Sequence, residues 1–567
     1  MSDIEIELDV PVPMRDGTVL RADVYRPASE GRFPVLLSRG PYNKRFRLDT
    51  VLDFAEAVEA GYIVVLQDTR GRFASDGEWL PWKYERNDGY DSVEWAANLP
   101  GSNGRVGMFG GSYLGSTQWS AAIAGAPSLK TIVPNVTWSD PENGLMFRGG
   151  AIEHGLNTWW TLMMSMEQFP KDGLDPDTTM GKVVGAITAM DTLDEQTYWQ
   201  LPSGALPALK GTGHPDIGVD RALVDPATTT DCRVDGIHDA IELPTLSIAG
   251  WYDVFVQGSL DNYTAMRQRG RTARIIVGAF DHYTHVSAWQ GGRIGDVNYG
   301  LMSTMPGGQT ITQIHREWFD HWLKDEPATA AHESGVLLFT MGANQWRVEP
   351  EWPLARTVAT PLYLTSDSAL TWEEPTASAD STKFTYDPAN PVLTRGGNVV
   401  MGVGYPAGPV DQREVEARDD VLVFTSAPLD TDVEITGKVT ATLFAATDGP
   451  STDWVVRLCE VDQGGVSRNL VDGITRVQTQ PNRIEEVEVD LWSTSVLVKA
   501  GHRLRVHVTS SNFPRWDRNL NTGEPVTEGT QMRAAQQRIL HDNEHPSRLV
   551  LPVIPAITAE EPAAVQA

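Results

Sequence analysis

The stretch Gly110-Gly111-Ser112-Tyr113-Leu114-Gly115 constrains this chain more than any other. It sits between a short apolar run, Val106 to Phe109, and a helical pattern rich in Ala, Gly, Ser and Trp from Leu114 to Ala124. A serine on so sharp a strand-to-helix turn has the setting of a nucleophile elbow. The turn lifts the hydroxyl out of the sheet, and the first N–H groups of the helix face the place where an oxyanion would form. The pattern departs from G-x-S-x-G, because Leu114 stands two residues after the serine and the glycine follows at Gly115. Gly-rich turns of this kind also serve packing or phosphate binding, so the surrounding chain has to decide between these uses.

The surroundings read as an α/β fold. Phe33 to Ser38 and Tyr62 to Gln67 are continuous apolar runs of the kind covered on both faces. Helical patterns at Phe54 to Val58 and Ser92 to Ala97 alternate with them, the rhythm of a mostly parallel sheet. The rhythm stops between about 141 and 241, a Met- and Trp-rich helical region that reads as an insertion. It resumes at Pro244 to Ala249 and Arg274 to Val277, and a helix over Thr310 to Leu323 closes that half. After about 355, short alternating segments such as Val421 to Phe424 and Arg503 to Val508 predict an all-β jelly roll. The expected organisation is a mostly parallel α/β core over 1–140 and 242–354, a helical insertion over 141–241, and a β-sandwich or jelly roll over 355–567.

Charge and cysteine content exclude several function classes. Lys and Arg total 46 against 75 Asp and Glu, a net charge of −29, which disfavours nucleic acid and anionic membrane surfaces as partners. Two distant cysteines, Cys232 and Cys459, predict neither a disulfide framework nor a four-ligand zinc site. The start lacks the basic and apolar regions of a signal peptide, and no apolar run reaches membrane-spanning length. A cytoplasmic protein, monomer or homodimer, is expected, with a disordered tail after Ile557.

A serine nucleophile needs a base, and the base an orienting carboxylate. In this fold class they follow in the order Ser, Asp, His at the C-terminal ends of strands. The run Leu246 to Ala249 leads into Gly250-Trp251-Tyr252-Asp253, and Ile275 to Val277 into Gly278-Ala279-Phe280-Asp281-His282. Asp253 and His282 are therefore the expected acid and base, with Asp281 and His285 as rivals. His282 and His285 find no third ligand nearby, so no metal or cofactor is expected. The N–H of Tyr113 is one expected oxyanion donor. Pro41, in the loop Arg39-Gly40-Pro41-Tyr42, has no N–H to offer as the second. The Tyr42 hydroxyl has the reach and donor strength, but a half-buried aromatic fits the same residue. Asp68 and Arg70 read as internally paired charges that hold loops.

Further motifs run in one order along nearly the whole chain: Val12-Pro13-Met14-Arg15-Asp16-Gly17, Gly40-Pro41-Tyr42, Gln67-Asp68-Thr69-Arg70-Gly71, Ala74-Ser75-Asp76-Gly77-Glu78, Gly250-Trp251-Tyr252-Asp253, Ser510-Ser511-Asn512-Phe513-Pro514 and Arg518-Asn519-Leu520-Asn521-Thr522-Gly523. With the elbow, they make the chain resemble the cocaine esterase family, which is related to Xaa-Pro dipeptidyl-peptidases and α-amino acid ester hydrolases. The family elbow is G-x-S-Y-x-G, so Leu114 fits it. The resemblance implies Ser112 as nucleophile, His282 as base, Asp253 as its partner, and the Tyr42 hydroxyl with the Tyr113 N–H as oxyanion hole. It also implies an α/β-hydrolase core, a helical cap formed by the insertion and a C-terminal jelly roll, and it places Trp160, Phe255 and Phe147 in an acyl pocket, with a closing contact near Val400 and Met401.

A serine carboxylesterase acting through an acyl-enzyme is the expected function, on a small-molecule ester or amide. An amidase, acylase or aminopeptidase on the same scaffold is the alternative, and an inactive carbohydrate-binding protein a more distant one. A preference for α-amino acyl groups would need acidic residues facing the serine. Glu153 and Glu167 are the candidates, although glutamates at such positions normally lie on a solvated helix face.

Overall fold

The computed structural model describes residues 4–45, 51–284, 291–402 and 404–555. His285 and the tail after Ile557 lie outside the described residues.

Ten strands form the first sheet: β1 (Ile4–Pro13), β2 (Val19–Pro27), β3 (Phe33–Gly40), β4 (Ile63–Asp68), β5 (Ser102–Gly111), β6 (Leu129–Asn135), β7 (Thr245–Gly250), β8 (Ala273–Gly278), β9 (Gly335–Thr340) and β10 (Gln345–Glu349). Their order is β1-β2-β4-β3-β5-β6-β7-β8-β9-β10. Strands from β3 to β9 pair in parallel. The first two strands and the last join antiparallel at the edges. The apolar runs lie in this sheet because helices cover both faces, so every residue of β4 and β7 is buried. Strand order reverses around β3, which pairs with β4 on one side and β5 on the other. Ligands of open α/β sheets bind beyond the strand ends at such a reversal. Here it sets the loop after β3, carrying Tyr42, beside the turn after β5, carrying Ser112.

Helices follow the strands: α1 (Phe54–Glu59), α2 (Glu85–Ala97), α3 (Tyr113–Ile123), α4 (His154–Gln168) and α5 (Pro176–Asp191), then α6 (Val256–Gln268) and α7 (Ile311–Lys324). The last begins one residue inside the expected span. Thr310 caps it, accepting from the Gln313 N–H while the Gln313 side chain returns to the Thr310 N–H. Helices α4 and α5 pack on each other and, with shorter helical turns, fill most of the segment between β6 and β7, where α4 reaches the cavity at Ser112.

Apart from two small hairpins, Phe147–Arg148 with Ala151–Ile152 and Arg293–Ile294 with Val297–Asn298, the remaining strands of the described residues form a separate all-β domain of eleven strands, dominated by the antiparallel pairing of Val433–Thr447 with Glu485–Val498. It is not a loose appendage. One buried apolar cluster runs from Val106 and Ile132 of the first sheet through Trp251 to Leu491 and Val439 of the β domain. Backbone bonds between Met341 and the strand carrying Ser495 and Leu497 (3.0 and 2.8 Å) continue the contact.

Behind the elbow, α7 sets His315 against β6. Its Nδ1 faces the Ile311 carbonyl at 2.8 Å and its Nε2 the Asn135 amide at 3.1 Å, which fixes a neutral ring. Burial pushes its pKa down to about 4, below the unfolded value of about 6.5. Unfolded chains therefore take up this proton at a higher pH than folded ones. The stability that the neutral ring contributes is complete above about pH 6.5 and is lost as pH falls towards 4. Thermal unfolding followed from pH 7.5 to 5 is expected to show Tm falling with pH, and His315→Gln should flatten part of that slope. An unchanged slope in the variant would contradict the assignment.

Candidate active site

Ser112 occupies the junction of β5 and α3 with φ 58° and ψ −121°, a conformation that a non-glycine residue holds only under constraint. Its N–H donates to the Asn135 carbonyl of β6 at 3.0 Å, and its carbonyl accepts from Gly115 and Ser116 as the helix starts. The glycines make the turn possible. A Cβ on Gly110, itself at φ 133°, would stand 2.5 Å from the Leu114 Cβ, and one on Gly115 would stand 2.8 Å from the Thr137 Cβ. Leu114 is admitted because Gly40 leaves room for it, since a Cβ there would lie 2.5 Å from the Leu114 side chain. The missing glycine at the second position after the serine is thus supplied across the sheet by β3.

Asp253 and His282 come off neighbouring strands, β7 and β8. Asp253 Oδ1 lies 2.7 Å from His282 Nδ1, and both residues are buried. A carboxylate acceptor at this distance holds the ring proton on Nδ1 and leaves Nε2 as the basic nitrogen. Burial raises the Asp253 pKa, and the attraction of His282 opposes the shift. The loop bearing Asp253 is held from the β domain: Asn398 Nδ2 donates to the carbonyls of Trp251 (2.8 Å) and Asp253 (2.9 Å). Asp281 turns away from this pair, its carboxylate accepting from the Tyr283 and Thr284 N–H groups at 2.9 and 2.8 Å.

Tyr42 and Tyr113 meet edge to face, ring centroids 6.4 Å apart. Tyr113 opens α3, so its N–H is one of those that an α-helix leaves without an internal acceptor. Its hydroxyl donates to Glu85 at 2.9 Å, and Glu85 pairs with Arg39 at 3.0 Å, all within the interior. Burial pushes the Glu85 pKa up, opposed by Arg39. The Tyr42 loop is anchored on both sides. Lys44 pairs with Asp68 at 3.1 Å and Asp9 at 2.7 Å, and Arg72 Nε donates to the Pro41 carbonyl at 2.9 Å. Asp68 and Arg70 are internally paired as expected, but with other partners: Arg70 grips Asp88 at 2.6 Å and Asp16 at 2.8 Å.

Ser112, His282 and Tyr42 all line one cavity of about 360 Å³. Trp82, Trp138, Trp159, Trp160, Phe255 and Met163 make most of its wall, with Leu145, Leu156, Ile217, Tyr283 and Val400. Trp160 and Phe255 are therefore at the cavity, whereas Phe147 is absent from its lining and packs half-buried against the aromatic cluster that forms the wall. Val400 reaches the cavity. Met401 is buried beside Gly155, and its carbonyl accepts the Tyr198 hydroxyl at 2.8 Å.

The two cap glutamates part company. Glu153 does not sit on a solvated face: it is buried, receives the Trp516 indole N–H at 2.9 Å and is balanced by Arg515 and Arg148. The late motif around Arg515 to Asp517 thus clasps the cap to the β domain, with the Ile152 N–H also donating to Asp517 at 2.7 Å. Glu167 does reach the cavity, but Arg72 holds its carboxylate at 2.8 Å. Burial lowers the Arg72 pKa only to about 10, so the guanidinium stays charged at neutral pH. Reading the sequence missed Asn398, Arg72 and Glu85, whose partners are distant in the chain. The buried charge of Glu85 beside an elbow tyrosine carries no local signal.

Comparison with known proteins follows this architecture. Residues 16–284 match the X-Pro dipeptidyl-peptidase (S15 family) model, and residues 329–550 match the X-Pro dipeptidyl-peptidase C-terminal non-catalytic domain. Cocaine esterase of Rhodococcus sp. (strain MB1 Bresler) is 36% identical, covering 96% of this chain and 98% of its own. In fold, the chain is similar to an aminopeptidase from a marine sediment Thaumarchaeota archaeon (TM-score 0.80, 24% identity, 98% and 97% of the two chains). It is also similar to an α-amino acid ester hydrolase (TM-score 0.77, 24% identity, 97% of each chain). With 36% identity over nearly the whole of both chains, and with the S15 peptidase domain followed by its C-terminal non-catalytic domain, the chain belongs to the cocaine esterase family of S15-type serine hydrolases.

Proposed function

We propose that this serine hydrolase is a carboxylesterase for esters of neutral, bulky or aromatic acids, with Ser112, His282 and Asp253 as its triad. The observation that carries the reading is the convergence of the strained serine, the His282–Asp253 pair at 2.7 Å and the Tyr42 hydroxyl on one aromatic cavity. Ser112 Oγ attacks the ester carbonyl while His282 Nε2 takes its proton, and Asp253 stabilises the imidazolium. The Tyr113 N–H and the Tyr42 hydroxyl receive the developing oxyanion. His282 then gives its proton to the leaving alcohol. Water, activated by the same nitrogen, releases the acid from the acyl-enzyme.

The cavity wall supports a neutral acyl group. Among the described residues its one lining carboxylate, Glu167, is paired with Arg72, which leaves no unpaired counter-charge among them for an α-ammonium group. Among the described residues no helix is long and apolar enough to cross a membrane. The two unpaired thiols, Cys232 and Cys459, fit the reducing cytoplasm.

Turnover of matched benzoyl, acetyl and α-aminoacyl esters and anilides, with Ser112→Ala as the blank, tests the reading. The expected order is benzoyl ester above aminoacyl ester, with anilides slowest. Faster aminoacyl or anilide cleavage would move the protein to the acylase or peptidase branch. Ser112→Ala should lower kcat by about 10⁴-fold or more, and Asp253→Asn by about 10⁴-fold. Tyr42→Phe should cost about 10²–10³ in kcat, and a loss below about threefold would remove Tyr42 from the oxyanion site.

A further inference from the structure

The indole of Trp160 belongs to two parts of the site at once. Its ring is cavity wall, and its Nε1–H donates to the Tyr42 hydroxyl at 3.1 Å. We propose that Trp160 is a positioning residue for the oxyanion hole, so that cap helix α4 completes the catalytic apparatus as well as shaping the acyl pocket. The proposal rests on Tyr42 as an oxyanion donor.

An indole N–H only donates. It therefore occupies an acceptor site on the Tyr42 oxygen and restricts the directions in which the hydroxyl can donate. Accepting one hydrogen bond also strengthens a hydroxyl as a donor. The indole can impose this geometry because it is itself held. Trp160 is 4% exposed and lies over Trp82 at 6.2 Å with 18° between the rings. Trp82 is locked by its own indole bond to the Ile217 carbonyl (2.7 Å), and its main-chain N–H donates to the Tyr113 hydroxyl (3.2 Å). Tyr113 stacks on Trp82 at 4.0 Å. One run of rings, Tyr113, Trp82 and Trp160, thus connects the residue supplying one oxyanion donor to the residue supplying the other.

A second tie runs parallel to it. Arg72 Nε holds the Pro41 carbonyl, next to Tyr42, while its Nη groups hold the Met164 carbonyl (3.1 Å) and the Glu167 carboxylate (2.8 Å) on α4. The loop before Tyr42 and the hydroxyl at the tip of its ring are both referenced to the same helix. An oxyanion donor tolerates misplacement of only about half an ångström, which gives this double reference a purpose that a pocket wall alone does not need.

Trp160→Phe keeps an apolar ring in the wall and removes the N–H. The test is a double-mutant cycle of Trp160→Phe and Tyr42→Phe on p-nitrophenyl acetate and benzoate, with rates counted per Ser112 titrated by a fluorophosphonate so that unfolded protein does not enter. The proposal predicts that Trp160→Phe lowers kcat for the acetyl ester about fivefold to tenfold with little change in KM, the range expected for one hydrogen bond. In the Tyr42→Phe background, the same substitution should change kcat by less than about twofold, because the group it positions is gone. An unchanged acetyl kcat with a raised benzoyl KM would overturn the proposal and leave Trp160 as wall only. Equal losses in both backgrounds would overturn it too. If Tyr42→Phe alone costs nothing, the oxyanion reading of Tyr42 falls first and the proposal with it.

Discussion

The backbone of Ser112 is the constraint on which the rest of the site depends. A serine at φ 58° is not a conformation that the residue adopts unaided. It is imposed by the Asn135 carbonyl gripping its N–H, by the start of α3 pulling its carbonyl, and by two glycines that let the helix close on the sheet. The same turn that strains the backbone exposes the hydroxyl and leaves the Tyr113 N–H at the head of the helix. The proposed nucleophile and oxyanion donor are thus products of one local geometry, and the positions of His282 and Asp253 follow from parallel strands that end at the same edge.

Around this turn the interior is polar where an α/β sheet is normally apolar. Arg39, Glu85 and the Tyr113 hydroxyl form a buried chain, and Lys44, Asp68 and Asp23 form another under the Tyr42 loop. Buried ion pairs of this kind add little to stability over apolar replacements, but they are costly to break singly. Their contribution here is orientation, because each ends on a residue beside Ser112 or Tyr42. The β domain shares in this. Asn398 holds the carbonyls around Asp253, and Trp516 holds the first turn of the cap helix through Glu153. Hydrolase core, cap and β domain therefore meet at the site rather than being joined in series.

Much of this was legible in the sequence, for a physical reason. Ser112, Asp253 and His282 each stand at the end of an apolar run, so their placement follows from strand and helix periodicity alone, and the parallel sheet brings them together. The aromatic wall was partly legible, since Trp160 and Phe255 lie at the cavity and Phe147 does not. Phe147 stands on the short strand Phe147–Arg148 and packs on the outside of the aromatic wall, a placement that local periodicity does not reveal. Contacts across long separations gave no signal. Leu114 is tolerated through Gly40, Asp253 is steadied by Asn398, and Glu153 is buried by Trp516, each of which needs the folded chain to be seen.

Covalent labelling tests the central claim most directly. The protein would be treated with a fluorophosphonate, digested, and mapped by mass spectrometry while ester turnover is followed on the same sample. The account predicts a single adduct on Ser112, formed in proportion to the loss of activity and absent from Ser112→Ala. Labelling at another residue, or full turnover remaining once Ser112 is modified, would contradict it.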